Sequence, residues 1–191
     1  MSPKSMSRLL LIGALGFVFL SCQKKTPELL FQNSDFEMGT LEHWEKTGDA
    51  FNSQPILGDN IKIRNRGESK HAGRFWIGTY ERSQNRQSPD GGIQGDGPMG
   101  SLESDDFVIK AKRISFLIGG GQGSELTGVG LKVNNQLVLF EPGRGRYVDK
   151  EELHSVTWDV SQWLGKKARI VIRDEAADAW GHINADDFRY R

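Results

Sequence analysis

The sequence predicts an all-β fold, either a β-sandwich or a jelly roll. Several segments alternate apolar and polar residues with a period of two, which places the apolar side chains on one face of a strand. Glycine is abundant, with 23 among 191 residues, and no long stretch carries apolar residues at helical spacing. Short strands joined by turns, without helical crossovers, are typical of these two folds.

The chain begins with a segment that we interpret as an export signal. Lys4 and Arg8 precede an uncharged run over residues 9–20, which Ser21 and Cys22 follow. As a helix this run would span roughly 18 Å, too short for the ~30 Å core of a bilayer. We therefore predict a leader over residues 1–21, a lipid anchor and short tether over 22–28, and one β-sandwich domain over 29–191.

Cys22 is the only cysteine, so the chain forms no internal disulfide. Its place after Ser21 resembles the cleavage box of bacterial lipoproteins, and this implies acylation of Cys22, for example with palmitate. Gln23 resembles the residue that sends such proteins to an outer membrane, where the source has two membranes. We expect a location in the bacterial cell envelope. The alternative is a stray thiol in a removed leader.

Two acidic blocks stand near the ends of the mature chain. The first covers residues 33–44 and the second covers residues 174–188. A first and a last strand can be neighbours in a sandwich, which would bring the carboxylates of both blocks to one place.

Period-two alternation marks strands over residues 112–118, 129–133 and 168–172. Asn134 and Asn135 predict a two-residue hairpin loop, since asparagine tolerates a positive φ. We expect one helical turn over 160–164, ended by Gly165. The further predicted strands cover residues 29–32, 60–63, 75–80, 101–109, 153–159 and 183–190.

The succession of motifs carries a family resemblance. The blocks are Asn33-Ser-Asp-Phe-Glu37, the 73–81 segment, Phe116-Leu-Ile-Gly-Gly-Gly121 and Trp180-Gly-His-Ile-Asn184. Together they resemble the β-sandwich module that accompanies bacterial levanases and related family 32 glycoside hydrolases, over nearly the whole mature chain. The resemblance implies a jelly roll of the galactose-binding-domain type. No hydrolase domain accompanies the module here, so we expect a stand-alone module.

The acidic blocks contain hard oxygen ligands that suit calcium, which takes six to eight oxygens. The resemblance implies a structural Ca²⁺ held by Glu37 and Asp186, with Asp35 as a weaker candidate. The alternative is that these acids cap turns or face water.

Sugar recognition needs apolar ring faces and convergent polar groups. The available side chains are Arg64, Arg66, Trp76, Tyr80, Glu81, Trp180, His182 and Asn184. Trp44, Trp158 and Trp163 are expected in the core. His182 is open to a second interpretation as a structural imidazole, and the arginine-rich loop over 63–68 as a solvated turn.

No catalytic signature is present in the sequence, so we expect a non-catalytic protein. The many carboxylates include no pair that spacing selects for glycoside hydrolysis. Lys and Arg together number 25, as do Asp and Glu, and both signs are scattered, so we expect no nucleic-acid partner.

Two hypotheses follow from the sequence. The first is a lipid-anchored carbohydrate-binding module that takes a polysaccharide or oligosaccharide, a fructan being one candidate, beside a secreted glycoside hydrolase. The second is a structural or protein-interaction sandwich in the envelope without a sugar site.

Overall fold

A computed structural model of the chain describes residues 27–83, 91–145 and 151–191. In these ranges the chain is an all-β jelly-roll sandwich, which confirms the predicted fold class. The predicted leader and Cys22 lie outside the described residues. Within the described ranges, no helix is both long and apolar enough to cross a membrane.

The strands are short and are joined by turns, as the glycine content predicts. A helical turn, α1, covers Ile61–Arg64, and a 3-10 turn covers Ser161–Trp163. The strands in chain order are β1 (Trp44–Gly48), β2 (Ile56–Leu57), β3 (Phe75–Gly78), β4 (Glu81–Arg82), β5 (Gly92–Ile93), β6 (Gly100–Ser104), β7 (Phe107–Val108), β8 (Arg113–Gly120), β9 (Thr127–Val133), β10 (Gln136–Pro142), β11 (His154–Asp159), β12 (Lys167–Asp174) and β13 (Ile183–Tyr190).

The described strands form two main antiparallel sheets and one small one. The first sheet has the order β1-β6-β12-β9-β10, with β7 also paired to β12. The second has the order β11-β8-β13-β3-β2, and β4 pairs with β5. Consecutive β9 and β10 are joined at Asn134 and Asn135, whose φ angles are 51° and 64°. The predicted hairpin is therefore confirmed.

The core lies between the two main sheets. Phe116 and Phe188 stack there with ring centroids 5.4 Å apart, and Trp158 meets Phe116 edge-on at 4.6 Å. Trp44 stacks on Phe36 at 5.0 Å. Burying aromatic rings of this size contributes much of the hydrophobic stabilisation of a small sandwich.

The opening segment of the described chain lies beside β13. Leu29 forms an isolated bridge with Arg189, and the Ser34 hydroxyl donates to the Phe188 carbonyl oxygen at 2.8 Å. The predicted proximity of the two chain ends is confirmed. The predicted strand over 29–32 is reduced to that one bridge, because turns follow it directly.

Most predicted strands are present, and one is wrong. The segments 75–80, 153–159 and 183–190 hold β3, β11 and β13, whereas 101–109 is split into β6 and β7. Residues 60–63 form a helical turn, because the Asn60 carbonyl oxygen accepts from the backbone of Ile63 and Arg64.

The outer face of the second sheet is covered rather than exposed. Ile183 and Ala185 of β13 point into the core, so His182, Asn184 and Asp186 lie on the opposite face. A small cluster of Ile56, Trp76 and Leu153 covers part of that face. All three polar side chains are therefore buried.

Candidate functional site

Three polar side chains lie in a row on the outer face of the second sheet, namely His182 directly before β13 and Asn184 and Asp186 within it. Neighbours in the row are about 6.6 Å apart along the strand. Each is at most 1% exposed. Because buried polar groups are costly without partners, the contacts along this row determine what the face can bind.

His182 lies between two carboxylates. Its Nδ1 is 2.6 Å from Oδ1 of Asp96, and its Nε2 is 3.0 Å from Oε2 of Glu151. Asn184 donates from Nδ2 to the same Glu151 oxygen at 3.1 Å and to the Glu151 carbonyl oxygen at 2.9 Å. Arg66 Nη1 lies 3.2 Å from the other oxygen, Oε1, of Glu151. The positive charges of Arg66 and the His182 imidazolium therefore balance the negative charges of Asp96 and Glu151.

The two carboxylates keep His182 protonated. Burial alone would lower the pKa of His182, but the hydrogen bonds to Asp96 and Glu151 outweigh it and raise the pKa to about 9. Burial would raise the pKa of Glu151, and the hydrogen bond from His182 outweighs it, so this pKa is lowered. Both ring nitrogens therefore donate, and the imidazolium fixes the two carboxylates in place.

Aromatic rings and Arg66 surround this network. The Trp180 ring stacks on His182 with centroids 5.5 Å apart, and Tyr80 meets His182 at 5.1 Å. The guanidinium of Arg66 lies over Trp180 at 4.4 Å and over Tyr80 at 6.0 Å. Arg66 thus joins the aromatic pair to Glu151, and its own side chain stays 35% exposed.

A polar cleft of about 600 Å³ opens beside Arg66 and Glu151. Its other lining residues are Asn65, Gly67, Glu68, Lys70 and Glu152. Glu151 Oε1 is buried and accepts no hydrogen bond among the described residues. The cleft therefore presents amide, ammonium, guanidinium and carboxylate groups together, a set that suits a ligand rich in hydroxyl groups.

Gly120 makes room for the His182 ring. A Cβ at this position would lie 2.9 Å from Cδ2 of His182, and the φ of Gly120 is 64°. Both the contact and the left-handed backbone favour glycine. Gly119 is constrained by the site as well, since a Cβ there would lie 2.7 Å from the Glu151 carbonyl oxygen, whereas Gly121 packs against Gly143.

The structure brings together five of the eight predicted ligand residues, namely Arg66, Tyr80, Trp180, His182 and Asn184. Of these, Arg66 lines the cleft, and Tyr80 and Trp180 lie behind it.

The remaining three, Arg64, Trp76 and Glu81, are buried in a supporting layer. Arg64 pairs with Glu81 and, at 2.7 Å, with Asp59. Trp76 is fully buried and donates to the Gly58 carbonyl oxygen at 2.8 Å. Because these side chains are enclosed and their contacts are to protein groups, we correct their predicted role from ligand contact to support of the 58–67 loop.

Glu37 and Asp186 both accept hydrogen bonds from the backbone of the 72–75 loop. Oε1 of Glu37 accepts from the backbone N–H of Arg74 at 2.7 Å and of Phe75 at 2.9 Å. Oδ2 of Asp186 accepts from the N–H of Ala72 at 2.7 Å. Gly73, between these contacts, has a φ of 61°, and a Cβ there would lie 2.4 Å from Glu37 Oε1.

The second oxygen of Asp186, Oδ1, is buried and has no hydrogen-bond partner among the described residues. Burial raises the pKa of Asp186 well above its ordinary value, and the nearby charges of Asp187 and Glu37 add to the effect. A cation beside this oxygen would remove the cost of its charge. The two acids therefore fit the predicted calcium chemistry.

Asp35 does not join this pair. Its Oδ2 lies 3.2 Å from Nη2 of Arg189, which also pairs with Asp187. Since an arginine occupies it, we withdraw Asp35 from the proposed ligand set. No cluster of three or more His, Cys, Asp or Glu side chains in the described ranges is arranged to hold a metal, so further ligands would have to be backbone oxygens or water.

Two residues of the His182 network, Asp96 and Glu151, were missed by the sequence analysis. Asp96 stands in a glycine-rich loop and Glu151 in a run of charged residues. Both contexts are typical of solvated surface acids, so no local pattern singles them out.

Comparison with known proteins finds one curated relative and several solved structures with a similar fold. No protein-family model matches the chain. A protein of Aspergillus rugulosus, provisionally named glycosyl hydrolase ecdE, is 34% identical over 143 residues. The match covers 75% of this chain and 18% of that protein, so the chain spans under a fifth of the length of its curated relative.

Two solved structures share the fold. TmCBM61, solved in complex with β-1,4-galactotriose, has a TM-score of 0.50 at 14% identity and covers 85% of this chain and 97% of its own. Fisc, a Stig cyclase from Fischerella sp. TAU, has a TM-score of 0.51 at 16% identity, with 85% and 96% covered. The chain thus shares its fold with TmCBM61 and Fisc, and it has a distant homologue that is named as a glycosyl hydrolase.

Proposed function

We propose that this protein is a non-catalytic carbohydrate-binding module that takes an oligosaccharide or polysaccharide in the cleft beside Arg66 and Glu151. The observation that carries the proposal is the cleft itself, in which the buried Glu151 Oε1 accepts no hydrogen bond from the described residues. The fold supports it, since TmCBM61 was solved with a galactotriose.

The arrangement suits hydroxyl recognition in a specific way. The imidazolium of His182 and the amide of Asn184 hold Oε2 of Glu151, and Oε1 lies beside Arg66 in the wall of the cleft. A sugar hydroxyl can donate to this oxygen, and Arg66 and Lys70 can donate to other sugar oxygens. A carboxylate fixed before binding loses little entropy when the ligand arrives.

We propose that the two carboxylates around His182 bind the sugar and do not hydrolyse it. The carboxylates around His182 are committed to the imidazolium, and a glycosidase needs one free acid and one free base or nucleophile around the scissile bond. The named activity of the Aspergillus relative belongs to a protein of which this chain matches 18%.

We further propose that Glu37 and Asp186 hold a structural Ca²⁺ with backbone oxygens or water. The ion would supply the positive charge that the buried Oδ1 of Asp186 lacks. It would also connect the opening turn and the 72–75 loop to β13. This connection would stabilise the layer of the protein that holds the site.

A third part of the proposal is attachment to the bacterial envelope through acylation of Cys22, near a secreted glycoside hydrolase of the levanase type and its fructan. The sequence resemblances support this part. If the source has two membranes, Gln23 favours the outer one.

A glycan array that includes fructans, galactans and plant and algal polysaccharides tests the central proposal. We expect retention of at least one polysaccharide, and its loss when Arg66 is replaced by alanine. Retention of none would favour the alternative, a protein-interaction sandwich, in which Arg66 permanently covers Trp180.

A further inference from the structure

We propose that the end of the sandwich from which the chain leads to Cys22 is a docking face for an anionic membrane surface. This inference rests on the proposed acylation of Cys22. We define the basal face by its six basic residues, which are Lys110, Lys112, Arg113, Lys166, Lys167 and Arg191.

The topology gathers these residues at one end. β8 begins at Arg113, β12 begins at Lys167, and β13 ends one residue before Arg191. Tyr190 pairs with Ile114 across the second sheet, and its hydroxyl donates to the Val108 carbonyl oxygen at 2.5 Å. Val108 in turn pairs with Lys167 of the first sheet. The ends of both sheets therefore form one face.

Most of the charge on this face is free to meet a partner. Lys110 pairs with Glu28 at 3.1 Å and Lys167 with Asp106 at 3.6 Å, but their side chains remain 59% and 72% exposed. Lys112, Arg113 and Lys166 are exposed, and none of them lies within 4 Å of a carboxylate among the described residues. The Asp159 carboxylate is near two of them, since the charges of Arg113 and Lys112 contribute to the lowered pKa of Asp159.

The same face carries exposed apolar side chains. Val108 and Leu164 are each 43% exposed. They are close together, since the N–H of Gly165 donates to the Ile109 carbonyl oxygen at 2.9 Å. Basic residues around a few apolar ones are typical of surfaces that rest in the headgroup region of a bilayer.

The position of the chain start selects the membrane over other anionic partners. Arg189 Nη1 donates to the Pro27 carbonyl oxygen at 3.0 Å, and the N–H of Tyr190 donates to the Glu28 carbonyl oxygen at 2.8 Å. Pro27 therefore lies at the basal face. Four residues separate Cys22 from Pro27 in the sequence, and the five Cα steps from one to the other reach at most about 18 Å. An acylated Cys22 therefore holds this face close to the headgroups.

Docking at this face orients the sugar cleft. β8 and β13 each run over eight residues, about 23 Å, from the basal face to the Gly120 and His182 end. The cleft therefore lies at the opposite end of the sandwich and points away from the bilayer, where a polysaccharide can reach it.

The test uses the full chain, purified with its lipid and placed in nanodiscs. One set contains phosphatidylcholine alone, and the other contains phosphatidylcholine with phosphatidylglycerol. Hydrogen exchange of residues 108–113 and 163–167 reports docking, and the intact mass reports acylation of Cys22. We expect slower exchange in these segments only on the anionic discs, and recovery of fast exchange at high salt.

A matched pair of variants separates charge from position. Lys112→Gln, Lys166→Gln and Arg191→Gln together should lower the docked-to-free ratio by on the order of 100-fold, since each basic residue near an anionic surface contributes about one kilocalorie per mole. Lys62→Gln, Arg82→Gln and Arg144→Gln remove the same charge elsewhere on the surface and should leave docking unchanged.

Equal exchange on both lipids, or an equal effect of the two triple variants, would overturn the docking face. A mass without acyl chains would overturn the anchor instead. In that case the unlipidated chain should still sediment with phosphatidylglycerol vesicles at low salt, and its failure to do so would overturn the docking face as well.

Discussion

Arg66 links the aromatic pair to the carboxylate that faces the cleft. Its guanidinium lies 4.4 Å over Trp180 and 3.2 Å from Glu151. Replacement by alanine removes a charged hydrogen-bond donor, and such donors contribute about 1.5–3 kcal/mol. We expect Arg66→Ala to weaken binding of the array-selected oligosaccharide by about tenfold or more in calorimetry.

Arg173 supplies the matched control for this substitution. It lies 5.4 Å over Phe140 on the first sheet, away from the cleft. Arg173→Ala should leave the affinity unchanged. Equal losses in the two variants, with unchanged melting temperatures, would rule out the cleft as the binding site.

His182 gives the protein a pH-dependent stability. Its pKa is about 9 in the folded state and about 6.5 in an unfolded chain. The stabilisation is therefore complete below pH 6.5 and is lost as pH rises through 9. The change amounts to on the order of 3 kcal/mol in the free energy of unfolding.

His182→Gln should remove this dependence. We expect the gap in the free energy of unfolding between wild type and variant to narrow from pH 6.5 to 9.5 in urea titrations. Burial raises the pKa of Asp174 to about 7, so its contribution changes mainly below that window. His154 is exposed and supplies the control. The free energy of unfolding of His154→Gln should vary with pH as that of the wild type does. A constant gap would mean that His182 is neutral in the folded protein.

Asp186 tests the calcium proposal. Chelation should lower the melting temperature of the wild type, since a metal bound only by the folded state stabilises it by about 2.7 kcal/mol at a hundredfold excess over Kd. Asp186→Asn should abolish the chelator effect. The metal-free variant should also be more stable than the metal-free wild type at neutral pH, because asparagine needs neither a buried charge nor the proton uptake that the raised pKa of Asp186 implies.

Two results would contradict this account of Asp186. The first is a wild-type melting curve that chelator leaves unchanged. The second is an Asp186→Asn variant that loses stability with and without metal alike, which would mean that the carboxylate acts only through the Ala72 N–H.

The residues of β13 show which features of the site a sequence can predict and which it cannot. Within β13, Ile183 and Ala185 lie in the core, as the period-two alternation of a strand allows. The same alternation implies that Asn184 and Asp186 face outward, but it says nothing of the layer over them. That layer comes from residues 54–72 and 151–153, which are distant in sequence. Long-range cover of this kind has no local pattern.

At the scale of elements, strands with one apolar face and the asparagine hairpin were predictable, because each depends on neighbouring residues. The 60–63 segment was not, since a helical turn of four residues has too short a pattern to distinguish it from a strand. The separate roles of Arg64 and Arg66 were equally hidden, although only one residue lies between them. Arg64 forms an ion pair with Glu81, whereas Arg66 lines the cleft.

The β9–β10 hairpin offers a prediction on one element. Asn135 has a φ of 64°, which a β-branched residue adopts at a cost of about 1–2 kcal/mol. Asn135→Val should lower the free energy of unfolding by about that amount, and Asn135→Gly should leave it within about 0.5 kcal/mol. Urea titrations measure both. Equal stability of the two variants would show that the turn relaxes without cost.

At the scale of the whole molecule, three strands connect two ends with different chemistry. β8, β12 and β13 each begin or end in the basal face and reach the glycine-rich end beside His182. The sandwich therefore separates a basic end, next to the chain start, from a polar cleft. This separation is what a surface-held binding module requires, because the ligand and the membrane then approach from opposite sides.

Mapping a bound oligosaccharide on the protein would show whether the cleft beside Arg66 and Glu151 is the sugar site. The backbone amide spectrum of the isotope-labelled protein would be recorded with the glycan that the array retains best. The account predicts shifts concentrated in residues 65–70 and at Glu151 and Glu152, with little change at the basal face. Shifts confined to other surfaces, or no glycan that binds at all, would contradict it.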